Sequence, residues 1–341
     1  MFYIDNVITL KSTSMASRNG IYDVVGATSK NNGNVGFLDS SYKSNVVNGN
    51  CICLIKTGQG SVGDAVYKQG EFIPSNNVCV IRSNWLNRYI ALFIVAEINR
   101  QSGKYSYGYI RNLQRIEKET LMLPANSNSK PDFKFMEDFI KEREALKREQ
   151  YLEYCTACLE KLGAQTDCHN IITKWGEFQI GKLFKVRRPK ARSEKDYTLG
   201  DIPFVASGNF NNGVTKCCAI SINEQIDRGN CITVSPVDGS SFYQSIDFLG
   251  RGGAGSSILL LYNDYINQYS GLFIAQMIRQ TCAKYCYGKM GNKDSIKREK
   301  IMLPVDEFGN PDYVFMEQYT KAVITKKYNS YIGYCSGDCS Q

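Results

Sequence analysis

The chain has 341 residues, 43% of them hydrophobic and 22% charged, enough for about two domains that each bury a core. One histidine, His169, argues against histidine-dependent acid–base or metal chemistry as the main activity, and thirteen scattered cysteines read as reduced thiols in a cytoplasm rather than a disulfide scaffold. The net charge of +8 points to an acidic partner, nucleic acid first, the alternative being a mildly basic protein with no polyanion partner.

In chain order, the stretch from Phe2 to about Val80 alternates short β-rich runs (VVGATS, CICLIK, DAVY, NVCVI) with Asn, Gly and Ser clusters. Trp85–Gln101 carries apolar residues at helical spacing and predicts a buried amphipathic helix. The turn SGKYSYGYIRN follows, then a run ending in LMLP and the polar linker ANSNSK. Pro131–Leu162 predicts one long helix, with Asp132 near its start and Gly163 just past its end. At 1.5 Å per residue it is a rod of roughly 45 Å. Its apolar residues, Phe135, Phe139, Leu146, Leu152, Leu159 and Leu162, form a stripe so narrow that the helix needs a partner along its length. Gly163–Asn170 is a joint. Trp175 then leads into a strand, the basic loop Lys185–Arg192 and the strand IPFV. Strands CITV and SILLLY, the helix YSGLFIAQMIRQ, the turn KYCYG, IMLP and a second rod complete the chain. No apolar run reaches membrane-spanning length.

The second half repeats the first at an offset of 180 residues. Leu92–Ile94 returns at Leu272–Ile274, Lys104–Gly108 at Lys284–Gly288, and Met122–Pro124 at Met302–Pro304. Asn112, Ile116 and Glu119 map onto Asn292, Ile296 and Glu299, and PDFKFME at Pro131 onto PDYVFME at Pro311. Upstream, Asn31-Asn32-Gly33 returns as Asn211-Asn212-Gly213. Such a gap-free echo marks a tandem duplication. The expected organisation is a mixed α/β block at 1–130, a helix and joint at 131–170, a second block at 171–310, and a second helix and tail at 311–341.

Catalytic motifs are weak. Gly58–Gly63 and Gly250–Gly255 both satisfy G-x-G-x-x-G, but strand-like runs follow where the dinucleotide fingerprint needs a helix, so both read as turns. The acids of Pro131–Glu137 and Pro311–Glu317 open helices, which favours caps over metal-dependent nuclease chemistry. Cys155-x-x-Cys158 with Cys168 and His169 is a candidate zinc set, although it has no counterpart in the second copy. No amino-methyltransferase run of the N-P-P-[YFW] kind is present; VSPVDG is the nearest. The chain is therefore expected to be non-catalytic and to bind no cofactor itself.

Binding chemistry remains. Lys104, Tyr105 and Tyr107, with Arg111, Asn112 and Arg115 downstream, place cations, aromatics and amides beside a turn. Lys284, Tyr285, Tyr287, Asn292 and Lys293 repeat the arrangement. Cations meet phosphates, and Asn and Arg read base edges; the alternative packs Tyr105 and Tyr285 inside. The loop Lys185–Arg192 adds Arg187, Arg188, Lys190 and Arg192. Asn31, Asn32, Asn211, Asn212 and Arg251 complete the candidate DNA contacts. Phe135, Met136, Phe139, Phe315, Met316 and Tyr319, early in the rods, are candidates for the helix pair or a partner.

The order of the runs W…IGKLF, Y…GDIPFV, NNGV and IMLP…PDYVFMEQY resembles the specificity subunit of restriction–modification enzymes, across nearly the whole chain. Compact length and a short second helix look more like the B subunit of BcgI-type (type IIB) enzymes than a longer type I subunit. The resemblance implies two α/β target-recognition domains, each reading one half of a split double-stranded DNA site. It implies that Pro131–Leu162 and Pro311–Tyr334 pair antiparallel about a pseudo-twofold axis and dock methyltransferase/endonuclease catalytic subunits that use S-adenosylmethionine and Mg²⁺. The N-terminus departs from the pattern, because the Trp and the basic loop are missing from the first copy.

Overall fold

The computed structural model describes residues 2–17, 19–58, 60–106, 108–163, 174–190, 192–253 and 257–337. They form two compact units, Met1–Tyr151 and Leu152–Gln341. The division falls inside the first long helix.

The first unit contains β1 (Tyr3–Ile4), β2 (Tyr22–Val25), β3 (Asn34–Leu38), β4 (Cys51–Ile55), β5 (Ala65–Lys68), β6 (Phe72–Pro74) and β7 (Val78–Arg82). The helices α1 (Arg88–Arg100), α2 (Leu113–Glu117) and α3 (Phe133–Leu162) follow. One sheet runs β1-β7-β4-β5 with antiparallel neighbours. A second runs β3-β2-β6, with β2 and β6 parallel. Strand β4 is buried along its whole length, and its period of two explains why. Ile52 and Leu54 face α1, whose Ile90, Ala91, Ile94 and Ile98 make the matching helical stripe. Cys51, Cys53 and Ile55 face Val25, Phe72, Val78 and Val80 on the other side.

The second unit contains β8 (Lys174–Gln179), α4 (Ile180–Leu183), β9 (Lys185–Arg187), β10 (Leu199–Val205), β11 (Val214–Cys218) and β12 (Cys231–Val234). Then come β13 (Ser241–Gln244), β14 (Leu249–Gly250), β15 (Leu259–Tyr262), α5 (Gln268–Cys282), α6 (Lys293–Arg298), β16 (Lys300–Val305) and α7 (Tyr313–Ser336). The sheets β13-β12-β15-β9 and β11-β10-β14 repeat those of the first unit. The register is kept as well, since Ile52 faces Ile81 and Ile232 faces Leu261. Cys51 faces Lys68 whereas Cys231 faces Gln244, so the hairpin is four residues longer in the first copy. That insertion holds Gly58–Gly63. The other glycine run starts at the end of β14 and precedes β15, with Ala254 and Gly255 outside the described residues. Both are strand–loop–strand connections, so neither builds the helix N-terminus a dinucleotide site requires.

Each long helix is anchored to its own unit in the same way. Asp132 and Asp312 accept hydrogen bonds from the backbone N–H of Phe135 (2.9 Å) and Phe315 (2.8 Å). Asn87 and Asn267 cap α1 and α5 with their Oδ1. Their Nδ2 groups donate across to Glu137 (2.9 Å) and Glu317 (2.5 Å) of the long helices. Met136 and Met316 are fully buried in the two cores. Phe139 meets Phe93 edge-on at 5.7 Å, and Tyr319 meets Phe273 likewise at 5.7 Å. This corrects the expected role of these residues: Met136, Phe139, Met316 and Tyr319 join helix to domain. Phe135 and Phe315 stack on Phe139 and Tyr319 at their outer side. Within the second unit the last turns of α3 bury Cys155 and bring Tyr154 to 6.1 Å from Tyr328 of α7.

Candidate nucleic-acid interface

The Asn-Asn-Gly repeats are built for a turn. Asn31, Asn32 and Gly33 have φ of 49°, 52° and 80°, and Asn211, Asn212 and Gly213 of 46°, 54° and 77°. Asparagine and glycine are the residues that enter this left-handed region at least cost. Asn32 and Asn212 donate inward to the carbonyls of Tyr67 (2.9 Å) and Tyr243 (3.2 Å), and Asn211 donates to that of Val214 (2.9 Å). Asn32, Asn211 and Asn212 thus spend their amides on the backbone, a correction to their candidacy as base readers.

The Lys-Tyr-x-Tyr-Gly turns are corrected in the same direction. Tyr105 and Tyr285 are buried. Glu119 and Glu299, 180 residues apart, are the hubs that fix the turns. Glu119 binds Lys104 at 2.8 Å and Arg111 at 2.5 Å, and Glu299 binds Lys284 at 2.6 Å and the Tyr285 hydroxyl at 2.5 Å. Arg111 is 1% exposed and also donates to the Gly63 carbonyl at 3.0 Å. Asn112 and Asn292 cap α2 and α6. Arg115 lies 3.6 Å over the Tyr109 ring. Lys293 is half-buried and Tyr287 faces solvent; Tyr107 lies outside the described residues. The matched pair Glu119/Glu299 was visible in the sequence and is the signal that reveals the anchoring.

The basic loop divides into a buried anchor and an exposed rim. Arg192, 6% exposed, binds Glu224 at 3.1 Å and Asp227 at 2.5 Å, and donates to the Gly250 carbonyl at 3.3 Å and to the Gln225 carbonyl. Arg192 is therefore corrected from a DNA contact to the residue that pins the loop. Its hydrogen bond holds the Glu224 carboxyl below the ordinary range. Pro189 is buried against Gly250, where even a Cβ would meet its ring at 2.8 Å. The loop is thereby fixed beside the strand end that carries Arg251. Arg187, Arg188, Lys190 and Arg251 remain exposed. Arg187 also lies 5.6 Å over the Tyr262 ring, and Lys190 is 3.8 Å from Glu224. These four cations are the positive rim of the second unit.

In the first unit the corresponding connection, between β1 and β2, lacks the basic cluster, and an open groove of about 430 Å³ is lined by Ala16, Ser17, Asn31, Asn34, Val35, Gly36 and Phe37. Strand β3 turns Val35 and Phe37 outward, where β11 turns Thr215 and Cys217 outward. The two copies thus share a strand pattern and differ in the side chains it turns outward. Sequence reasoning missed this groove because its apolar members look like ordinary strand residues, and only the fold shows that Val35 and Phe37 are exposed.

Among the described residues no three His, Cys, Asp or Glu side chains gather as a metal-binding group, and Cys168 and His169 lie outside those residues. No helix among them is long and apolar enough to cross a membrane.

Comparison with known proteins adds the family. The profile described as "Type I restriction modification DNA specificity domain" matches twice, at residues 2–154 and 172–330. The chain is similar to the type II restriction enzyme specificity subunit S.BcgI of Heyndrickxia coagulans, 28% identical over 253 residues, which is 73% of this chain and 71% of that protein. Among solved structures it is similar to the type I restriction–modification S subunit from M. genitalium (13% identity, 98% of this chain and 90% of the other, TM-score 0.45). It is also similar to the HsdS subunit from Thermoanaerobacter tengcongensis (14%, 87% and 77%, TM-score 0.32). With both halves matched, the chain belongs to the restriction–modification DNA specificity family and carries its domain in two copies.

Proposed function

We propose that the chain is the non-catalytic recognition subunit of a restriction–modification complex. It reads a bipartite duplex site with two unlike half-sites and directs adenine methylation and cleavage by a partner subunit, in which S-adenosylmethionine and Mg²⁺ reside. The observation that carries this reading is the double match to a DNA specificity domain, on units that share a scaffold and differ in their outward residues. The exposed middle of α3, with Arg143 and Lys147, is the surface for the catalytic subunits. Similarity to a type II specificity subunit favours a type IIB partner that fuses nuclease and methyltransferase. The family description favours the second reading, a type I subunit working with separate methylase and ATP-driven motor chains.

The test replaces Arg188, Lys190 and Arg251 together by alanine. The variant should unfold at the same denaturant concentration as the parent yet bind duplex more weakly. Its log–log salt dependence should be shallower by about 0.9 for each phosphate that the removed cations had neutralised. An unchanged salt slope would count against this rim as the DNA-binding surface.

A further inference from the structure

One face of the duplicated scaffold keeps its shape and changes its chemistry. Residues 31–40 and 211–220 alternate between buried and exposed in the same order, position by position. Val35 and Thr215 occupy equivalent outward places and share one branched shape, so a methyl in the first unit stands where a hydroxyl stands in the second. The Thr215 hydroxyl donates to the Phe204 carbonyl at 3.4 Å, whereas Val35 presents only carbon. The turn before the strand differs too. Asn31 and Asn211 have nearly the same φ, 49° and 46°. Asn211 donates its amide to the Val214 carbonyl, but Asn31 forms no side-chain hydrogen bond among the described residues.

Both apolar side chains of this face in the first unit are held in place. A Cβ on Gly26 would come within 2.6 Å of Val35 Cγ1, so Val35 rests on the glycine that follows β2. Phe37 is paired on both edges of its strand, with Asp23 of β2 and with Ser17. The Ser17 N–H donates to the Phe37 carbonyl at 3.0 Å, and the Phe37 N–H donates back at 2.8 Å. Gly36 admits this second edge, because a Cβ there would meet the Ser17 carbonyl oxygen at 2.9 Å.

The same face is short of cations. No charged side chain among the described residues lines the groove that holds Asn31, Val35 and Phe37. Ser75 stands where the second unit has Arg251, since each donates its N–H to an equivalent carbonyl, Val25 at 2.9 Å and Val205 at 2.8 Å. Ser75 is fully buried. Residues 2–154 nonetheless match a DNA specificity domain. Phosphates call for cations, so what this groove offers a duplex is contact with base edges. Apolar side chains suit the C5 methyl of thymine, an asparagine amide suits N6 and N7 of adenine, and the major groove that displays both admits a two-stranded ribbon such as β2–β3. A protein partner fits less well: stable interfaces engage roughly 20–30 residues a side, and seven described residues line this groove.

We propose that the first unit reads A·T base pairs with this groove, Val35 and Phe37 touching thymine methyls and Asn31 holding the adenine edge. The assignment rests on the DNA-recognition function proposed above and adds the base type and the residues. The second unit, with Thr215, Cys217 and its cationic rim, reads its half-site by other chemistry.

The test uses the assembled complex on its own site, located by sequencing modified DNA. Each thymine of the two half-sites is replaced in turn by deoxyuridine, which keeps the base pair and removes only the C5 methyl. Binding should weaken about fourfold at a thymine in one half-site, the effect of one buried methyl. Val35→Thr, which keeps the side-chain shape, should bind the thymine and uracil duplexes alike, and Phe37→Ala should do so at a neighbouring thymine. Replacing adenine by 7-deazaadenine removes the N7 acceptor; it should weaken the parent but not Asn31→Gly, a substitution that preserves the left-handed turn. Three results would overturn the proposal while the complex still modifies a bipartite site: uracil tolerated everywhere, no thymine in either half-site, or a uracil penalty that persists in both Val35→Thr and Phe37→Ala. If the complex modifies no defined sequence, the functional reading fails and this reader with it.

Discussion

Arg192 serves the second unit as a buried anchor between three segments of the chain. Its guanidinium bridges Glu224 and Asp227, and removing one member of such a set strands the others in a poorly solvated place. Arg192→Met should therefore lower unfolding stability by about 3–5 kcal/mol in urea titrations. Arg188→Ala, on the exposed rim, should stay within about 0.5 kcal/mol. Glu224 gives the same anchor a pH signature. Its folded carboxyl is held below its unfolded value by the Arg192 hydrogen bond, so its contribution is present above the unfolded pKa and is lost as pH falls through the folded one. Glu224→Gln should flatten the acid limb of the stability profile, and an unaltered limb would show that the anchor is not coupled to this carboxyl. Composition and spacing exposed the basic cluster but not which cations turn inward, because the deciding acids lie 32 and 35 residues away.

At the scale of elements, the duplication was the legible part. Offsets in the sequence located the helices, the turns and both rods, and α3 and α7 begin two residues after the prolines that announce them. Two things were hidden. One is the job of the early rod residues, since Met136 and Met316 sit at helical spacing that suits a helix pair as well as a domain core. The other is the Asn87–Glu137 and Asn267–Glu317 bridge, in which one side chain caps a helix and ties it to a second. Only the fold brings residues 50 apart together in this way. Because Met316 has no exposed surface, Met316→Ala should cost about 2–5 kcal/mol. The loss should appear as earlier unfolding of the second unit, followed by protease cleavage. A change below about 0.5 kcal/mol would mean that α7 is held by its outer contacts instead.

Across the whole molecule, the same anchors fix each long helix to its own domain, whereas the outward residues of the domains diverge. A shared frame with different faces is suited to reading two unlike sequences at a set separation. A helix of 30 residues spans roughly 45 Å, more than the ~34–36 Å of one DNA turn. On the proposed function, the half-sites should then flank a stretch of bases whose identity is unread and whose length is not. Changing the spacer sequence should leave methylation by the assembled complex nearly unaltered. Adding one base pair rotates one half-site by about 34–36° against the other, at about 10–10.5 base pairs per turn. It also shifts that half-site along the axis. On the proposed function, modification should then fall to background. The rim variant lacking Arg188, Lys190 and Arg251 adds direction to the same experiment. Lost phosphate contacts weaken binding to every sequence alike, so preference should relax only where one of the three also reads a base edge, in one half-site and at about 1–3 kcal/mol for that base. Sequencing of modified DNA decides between outcomes: a continuous or perfectly palindromic motif, or tolerance of the inserted base pair, would sink the two-reader arrangement.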